Sequence, residues 1–548
     1  MASSSIVHAA GTGAERKLKE KIEKNVAHHL QVVFDYRRQL NALALINRLP
    51  IELLVEIFYF WRDSWRFSSP YTSSSCTILT GVCHHWRDLV VGTPGLWDVI
   101  EIDHCVSTSM LRHLLHRAKD VPLHLEARSH MEDGQIALFN EEIVPNIHRV
   151  SSINLLLPVG DDPQPLTTLF TGMLPTTSQL RSFDLTSDRY PYTFPDIFKR
   201  CKFPNIQRLK LDGHLRNLPP SLLSPTIVEL ELCLTSTSEE SVDPVKFIQS
   251  LSYMSLLRLL TIRNVPFWPD HGLPLPSQKI SLPRLRNLGL CIPRGSEEAY
   301  TCLTSNLQLS GLEQAHIDFQ ELMPDHVQFP KLIDATLNLL RPRKFGLFWI
   351  DQGGGSLTMA LWATNIYQAA NSQWAPEPSF VVLFPVGYQQ ALWEEFIPNI
   401  NSHHIEAADL HVNSRYWRGV VTTWRNLKQV DVTKRSNALE MLKLLLEKEE
   451  VQAGQGTPVL QFILPKLETL RLSDVIWGSQ AEMESGGRNE FVETVINVVK
   501  KRNIVGHPLQ RVIIASGLNV CAEYVDLIRE AGVDVEWYGA EGHRSAMS

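Results

Sequence analysis

The chain has 548 residues, of which 44% are hydrophobic and 20% charged, with a formal net charge of −7. That length exceeds one ordinary core and requires at least two domains or a repeat array, and the composition is that of a folded chain rather than a disordered one. The acidic balance excludes a general polyanion binder, because neutralising phosphates needs a basic face.

Residues 1–14 show no periodicity and are expected to be disordered. From Glu15 to Asn47 the pattern is helical, with a charged stretch from Arg16 to Lys24. Val26, His29, Val33, Tyr36, Leu40 and Leu43 then alternate steps of three and four, a heptad-like seam. Such a helix is expected to pack back on the helices that follow it; a dimer seam is the alternative.

Residues 48–100 read as a small helical module. Pro50 suits the first position of a helix and Glu52 its positive end. Leu53, Leu54, Ile57 and Phe58 form an apolar stripe at helical spacing. Ser73 to Ser75 can cap a second helix carrying Leu79, Val82, Cys83, Trp86 and Leu89. After Thr93-Pro94-Gly95-Leu96-Trp97 comes a strand-like Asp98 to Ile102. This unit has more apolar surface than it can bury within itself, so it needs a partner.

Three runs in this module resemble the F-box: LP-x-ELL-x-EIF at 49–58, VC-x-x-WR-x-L at 82–89 and TP-x-LW at 93–97. The last is most similar to F-box proteins multiplied in mushroom-forming fungi. Ile51 departs from the family pattern, and Trp61 to Ser75 reads as an inserted loop. The resemblance implies docking on a Skp-type adaptor, and through it on cullin and RING subunits of a ubiquitin ligase. Leu49, Pro50, Leu53, Leu54, Ile57, Phe58, Val82, Trp86 and Trp97 would form or support that surface.

From residue 101 to 548 an apolar-x-x-apolar-x-apolar unit recurs: Ile206 to Leu211, Ile227 to Leu232, Leu257 to Ile262 and Leu285 to Leu290. Weaker copies are Leu180 to Leu185, Leu312 to Ile317, Leu332 to Leu337, Leu427 to Val432, Leu467 to Leu472 and Leu509 to Ile514. A spacing of roughly 20 to 30 residues resembles leucine-rich repeats, although the asparagine usual after the strand is mostly missing. The expected fold is therefore α+β or α/β: a small helical F-box module followed by an irregular leucine-rich-repeat-like solenoid. Since strand side chains alternate, the x residues would share one target-binding face. These are Lys210, Asp212, Glu231, Thr261, Arg263, His316, Asp318, Asn338, Asp431, Thr433, Arg471 and Ser473. The register is poorest from Arg341 to Phe380, around Gly353-Gly354-Gly355-Ser356. Loops are expected at Ser236 to Ser241, Pro266 to Pro276, Glu447 to Pro458 and Gly478 to Arg488, and a closing helix and strand from Cys521 to Tyr538.

Catalytic signatures are lacking. Cys83-His84-His85 occupies consecutive helical positions that point apart, and Gly353-Gly354-Gly355 lacks the Lys-Ser/Thr of a phosphate loop. The eight cysteines are scattered without a Cys-x-x-Cys, and Cys233 and Cys291 read as small packing residues. No secretory signal, membrane span or Asn-x-Ser/Thr acceptor is evident, which predicts an intracellular protein of cytoplasm or nucleus. The expectation is a non-enzymatic substrate-recognition subunit without cofactor, nucleic-acid or membrane partner. The alternatives are a scaffold that does not lead to ubiquitylation and a small-molecule-dependent receptor.

Overall fold

The computed structural model describes residues 13–68, 75–102, 107–127, 137, 139–156, 179–194, 202–216, 218–234, 244–265, 279–292, 297–319, 329–340, 344–345, 347–353, 356–362, 378–385, 392–400, 402–411, 421, 424–451, 459–477 and 489–538. The chain is mixed α/β, with a helical N-terminal region and a large, mostly parallel sheet. It divides into two compact units, Met1–Leu185 and Thr186–Ser548. The expected start at residues 1–12 and the loops at 236–241, 266–276 and 478–488 lie outside the described residues, as do residues 452–458 of the loop expected from Glu447; the first part of that loop is instead a strand, Lys448–Val451, paired antiparallel with Val459–Phe462.

The first unit opens with α1 (Gly13–Leu43), a 3-10 turn at Leu45–Arg48, and α2 (Ile51–Ser68). Next come α3 (Ser75–Thr80), α4 (His84–Gly92) and a 3-10 turn at Pro94–Trp97. Strand β1 (Val99–Glu101), helix α5 (Thr108–Ala118), β2 (Leu123–Ala127) and β3 (Val150–Leu156) follow, and β1, β2 and β3 pair in parallel. Leu54, Phe58, Leu79, Val90, Leu96 and Trp97 are buried.

Three expectations change here. Helix α1 does not pack back on its neighbours: every side chain from Glu15 to Leu43 is exposed. The expected second helix is two helices, interrupted at Gly81. There Cys83 takes an extended backbone, and its sulfur accepts the N–H of Trp86 at 3.5 Å as cap of α4. Glycine is a poor helix former, and a capping side chain offers the backbone a competing bond, so the chain breaks and restarts. The expected insertion from Trp61 onward is helical as far as Ser68, because α2 continues through it; residues 69–74 lie outside the described residues.

The boundary between the units falls within β4 (Ser182–Thr193). The second unit continues with β5 (Arg208–Arg216), β6 (Glu229–Leu234), α6 (Pro244–Tyr253), β7 (Leu259–Arg263), a short β8 (Ile280–Ser281) and β9 (Asn287–Cys291). Then come α7 (Glu297–Asn306), β10 (Leu307–Gln308), β11 (Gln314–Asp318) and α8 (Phe329–Leu340). Strands β12 (Leu347–Gly353), β13 (Ser356–Trp362), β14 (Phe380–Pro385), β15 (Ala407–His411) and β16 (Gln429–Thr433) precede α9 (Arg435–Leu444). The chain closes with β17 (Lys448–Val451), β18 (Val459–Phe462), β19 (Thr469–Ser473), α10 (Glu490–Ile504), β20 (Arg511–Ala515), α11 (Ala522–Glu530) and β21 (Asp534–Tyr538).

Strands β5, β6, β7, β9 and β11 pair in parallel in chain order, as do β15, β16, β19, β20 and β21. Six of the recurring units start in the same way. Ile206, Ile227, Leu257, Leu285, Leu427 and Leu467 each close a turn by an N–H to the carbonyl three residues earlier, and each is buried. The carbonyl of the residue after that first apolar position then receives two consecutive N–H groups from the next unit. Gln207 takes those of Val228 and Glu229, Val228 those of Arg258 and Leu259, and Lys428 those of Glu468 and Thr469. The first apolar residue therefore anchors the entry turn, and the last two point into the core from the strand.

Two sequence readings are corrected in the middle of this unit. Leu332 to Leu337 is helical, in α8, where Leu332, Ile333, Ala335, Leu337 and Leu340 are buried. A short apolar run cannot separate a strand from a buried helix by spacing alone. The poorly registered stretch after Arg341 contains an inserted meander. Strand β12 skips two places in the sheet, β13 returns antiparallel beside it, and β14 runs antiparallel to β13 and parallel to β11; β12 then pairs in parallel with β15. The closing segment is as read from sequence: α11, Gly532 with φ +95° after it, and β21 parallel to β20.

Two local features hold this unit. Gly213, at φ +95°, lies so close to the Ser187 carbonyl that a Cβ would overlap it. Arg502 of α10 is fully buried, donating to the carbonyls of Ile463 at 3.3 Å, Leu464 at 2.8 Å and His507 at 3.2 Å. Burial pulls its guanidinium down to about 10. Arg502→Met is expected to lower unfolding stability by about 3–5 kcal/mol, because it strands buried carbonyls; Arg502→Lys should recover only part. Urea unfolding checks this, and an unchanged midpoint would contradict the role.

Candidate functional site

In the helical module, the stripe read from sequence resolves into two faces. Leu54 and Phe58 are buried, whereas Leu53, Ile57 and Phe60 are exposed. Residues one position apart on a helix differ by about 100°, so adjacent apolar residues point to different sides. Ile51, Ile78 and Val82 are also exposed, and Phe60 keeps 77% of its surface in water. Pro50 is exposed and Leu49 half-buried.

The buried and half-buried members of the expected set serve the module itself. Trp86 lies 4.8 Å from Phe58 between ring centroids, and its indole N–H donates to Asn47 Oδ1 at 2.6 Å. Trp97 donates to the Val90 carbonyl at 2.7 Å. Arg62 donates to the Gly95 carbonyl and to Asp98 Oδ1, both at 2.8 Å, fastening α2 to the turn that carries Trp97. Burial opposes its charge, but Asp98 and Asp63 more than compensate and raise its pKa. The exposed set thus sits on a fixed frame.

In the second unit, parallel register aligns the outward residues in rows. Lys210, Glu231, Thr261, Gly289 and His316 are successive partners, and so are Asp212, Cys233, Arg263, Cys291 and Asp318. Asp409, Asp431, Arg471, Ile513 and Glu536 form another row, with Thr433 and Ser473 paired one step further on, but Asp431, Thr433 and Ile513 are buried rather than open to a partner. Eleven of the sequence-predicted face residues lie in these rows; Asn338 does not, because it is on α8. Cys233 and Cys291 lie in the outward rows rather than in the core, with Cys291 Sγ 2.9 Å from Asn264 Oδ1. Burial pulls His316 below its ordinary pKa.

Sequence reasoning missed β15 and hence Asp409 and His411. Its inward residues are Ala408 and Leu410, a weak apolar signal, although Ile405-x-x-Ala408-x-Leu410 fits the recurring unit once alanine is admitted. Here the face carries a buried polar cluster. Asp431 Oδ1 accepts from Ser473 Oγ at 2.8 Å, and Asp431 Oδ2 lies 3.1 Å from Arg471 Nε. His411 Nε2 is 2.7 Å from Asp409 Oδ1. Burial and the neighbouring Asp409 push the Asp431 carboxyl up to about 7, against the pull of Arg471, Ser473 and His411.

Among the described residues no group of His, Cys, Asp and Glu has the geometry to hold a metal, and no helix is long and apolar enough to cross a membrane. His84 is occupied with Asp88, 2.6 Å away. No family model matches the chain, and no curated protein matches it.

Proposed function

We propose that the chain is the substrate-recognition subunit of a Skp–cullin–F-box ubiquitin ligase. Its helical module docks on the adaptor, and the strands of the second unit wind as a leucine-rich-repeat-like solenoid that holds a target protein. The observation that carries this reading is the row Leu53, Ile57, Phe60, Ile78 and Val82, left in water on a module whose own core is already filled by Leu54, Phe58 and Trp97. An apolar patch on a rigid frame is what a protein partner covers. The F-box-like runs at 49–58, 82–89 and 93–97 give that partner its class. The solenoid reading draws support from the repeated entry turn and shared carbonyl. The chain then works by proximity, raising the effective concentration of a target lysine near a ubiquitin-charged enzyme.

Affinity purification with the proteasome blocked tests the proposal. Recovery of a Skp-type adaptor with a cullin is the expected result. Adaptor without cullin would make the chain a scaffold, and neither would overturn the adaptor reading.

The outward rows are the proposed target face, since their mixed charges suit a protein partner. Lys210→Glu with Arg263→Glu and Asp318→Lys is expected to reduce target capture about tenfold or more while adaptor binding is unchanged. Quantitative comparison of co-purified proteins measures it. Undiminished capture would move recognition elsewhere, first to the meander of β12–β14. Arg471 is a poor probe, because reversing it would also strand the buried Asp431.

A further inference from the structure

We infer that α1 is a dimerisation helix, pairing antiparallel with α1 of a second copy of this chain about a centre at Gln31. A 31-residue helix whose described side chains are all exposed gains little from burial against the rest of the described chain. Helices in water owe most of their stability to such packing, so α1 needs a covering partner. Apart from Phe34, which lies on the opposite side, its large apolar residues gather on or beside one stripe. Ile22, Val26, His29, Val33, Tyr36, Leu40 and Leu43 follow the 3.5-residue period of a coiled-coil seam. The rest of the module lies on the other side of the helix. Arg38, Asn41 and Ala42, which line a cleft with Cys83, His84, His85 and Asp88, occupy positions opposite this seam. The seam therefore faces away from the module and is free to be covered.

The side chains favour a second copy, and the antiparallel direction. With Gln31 at the centre, Ile22 meets Leu40, Val26 meets Tyr36, and His29 meets Val33 of the other copy, each pair occurring twice by symmetry. Every bulky or polar residue of the seam then faces an aliphatic one. Leu30 and Val32, apolar residues just outside the seam, each meet their own symmetry mate beside the centre; this explains why they are apolar although exposed here. Glu23 comes opposite Arg37, giving two equivalent ion pairs at the flanks. In parallel pairing, His29 would face His29 and Tyr36 would face Tyr36. The flanking contacts would be Asn25 with Leu30 and Val32 with Arg37, with no pair of opposite charge. The antiparallel arrangement also sets the two Leu43 ends about 36 Å apart along the axis, at 1.5 Å per residue, so each module stays clear of the other.

The test is the mass of the full-length protein in solution by sedimentation and light scattering, with thermal melts to show that each variant stays folded. The wild type is expected to be a dimer at micromolar concentration. Val33→Asp should raise the dissociation constant by at least about a hundredfold, since it puts a charge twice into the seam. Glu23→Arg and Arg37→Glu alone should each weaken the dimer about tenfold, and the two together should restore it. A monomeric wild type, or a dimer indifferent to Val33→Asp, would overturn the proposal. A dimer broken by Val33→Asp but unrescued by the double charge exchange would overturn the antiparallel register. Because every substituted residue is exposed on α1, loss of the dimer separates cleanly from loss of fold.

Discussion

Leu53→Asp combined with Ile57→Asp is expected to abolish capture of the Skp-type adaptor while leaving the fold intact. Covering one large apolar side chain is worth roughly 1.5–3 kcal/mol, and each 1.4 kcal/mol is about tenfold in affinity. Removing two such contacts and burying two charges should therefore weaken the complex by about two orders of magnitude or more. Both side chains are exposed, so the thermal transition should stay near that of the parent. The contrast is with their immediate neighbours. Leu54→Ala or Phe58→Ala removes a fully buried side chain and should cost about 2–5 kcal/mol of stability. Surface plasmon resonance against the adaptor and urea melts separate the two classes. A folded Leu53→Asp, Ile57→Asp chain that still binds at parental strength would sink the adaptor assignment.

The second large effect is a pH dependence centred on Asp431. Its carboxyl, ordinarily near 3.8, titrates at about 7 because burial and Asp409 penalise the charge. Between those values the folded protein holds a proton that the unfolded chain has released. Stability therefore falls as pH rises from about 4 to about 7 and levels off above, each tenfold difference in proton affinity between the folded and unfolded chain being worth about 1.4 kcal/mol. Asp431→Asn should remove this slope and gain on the wild type as pH rises, although Arg471 loses its charged partner. Asp409→Asn should move the slope to lower pH by removing the repelling neighbour. Urea unfolding of the three proteins from pH 5 to 8 measures it, and a wild-type-to-Asp431→Asn difference that does not change with pH would refute the assignment.

Local chemistry carried much of the organisation. Pro50 and Glu52 mark the start of α2, Gly532 marks the stop before β21, and nine of the ten recurring apolar runs lie at strands. These features depend on backbone preference and side-chain period, which act within a few residues. The exception, Leu332 to Leu337, shows the limit: six residues are too few to separate a period of 2 from one of 3.6. Strand β15 escaped notice for a related reason, because alanine can fill an inward position where neighbouring chains come close.

What the sequence by itself determined was the helical beginning, the strand-rich remainder, and which residues alternate toward or away from the core. The tertiary structure alone decided which half of the α2 stripe is core and which is surface, since Leu53 and Leu54 are equally apolar and differ only in what α3, α4 and the Pro94–Trp97 turn leave uncovered. It alone decided the inserted place of β12, β13 and β14, because strand order is a matter of long-range hydrogen bonds. It also brought Asp409, Asp431 and Arg471 side by side from three strands. Burial and electrostatic coupling are properties of neighbours in space, and no local pattern in the chain records them.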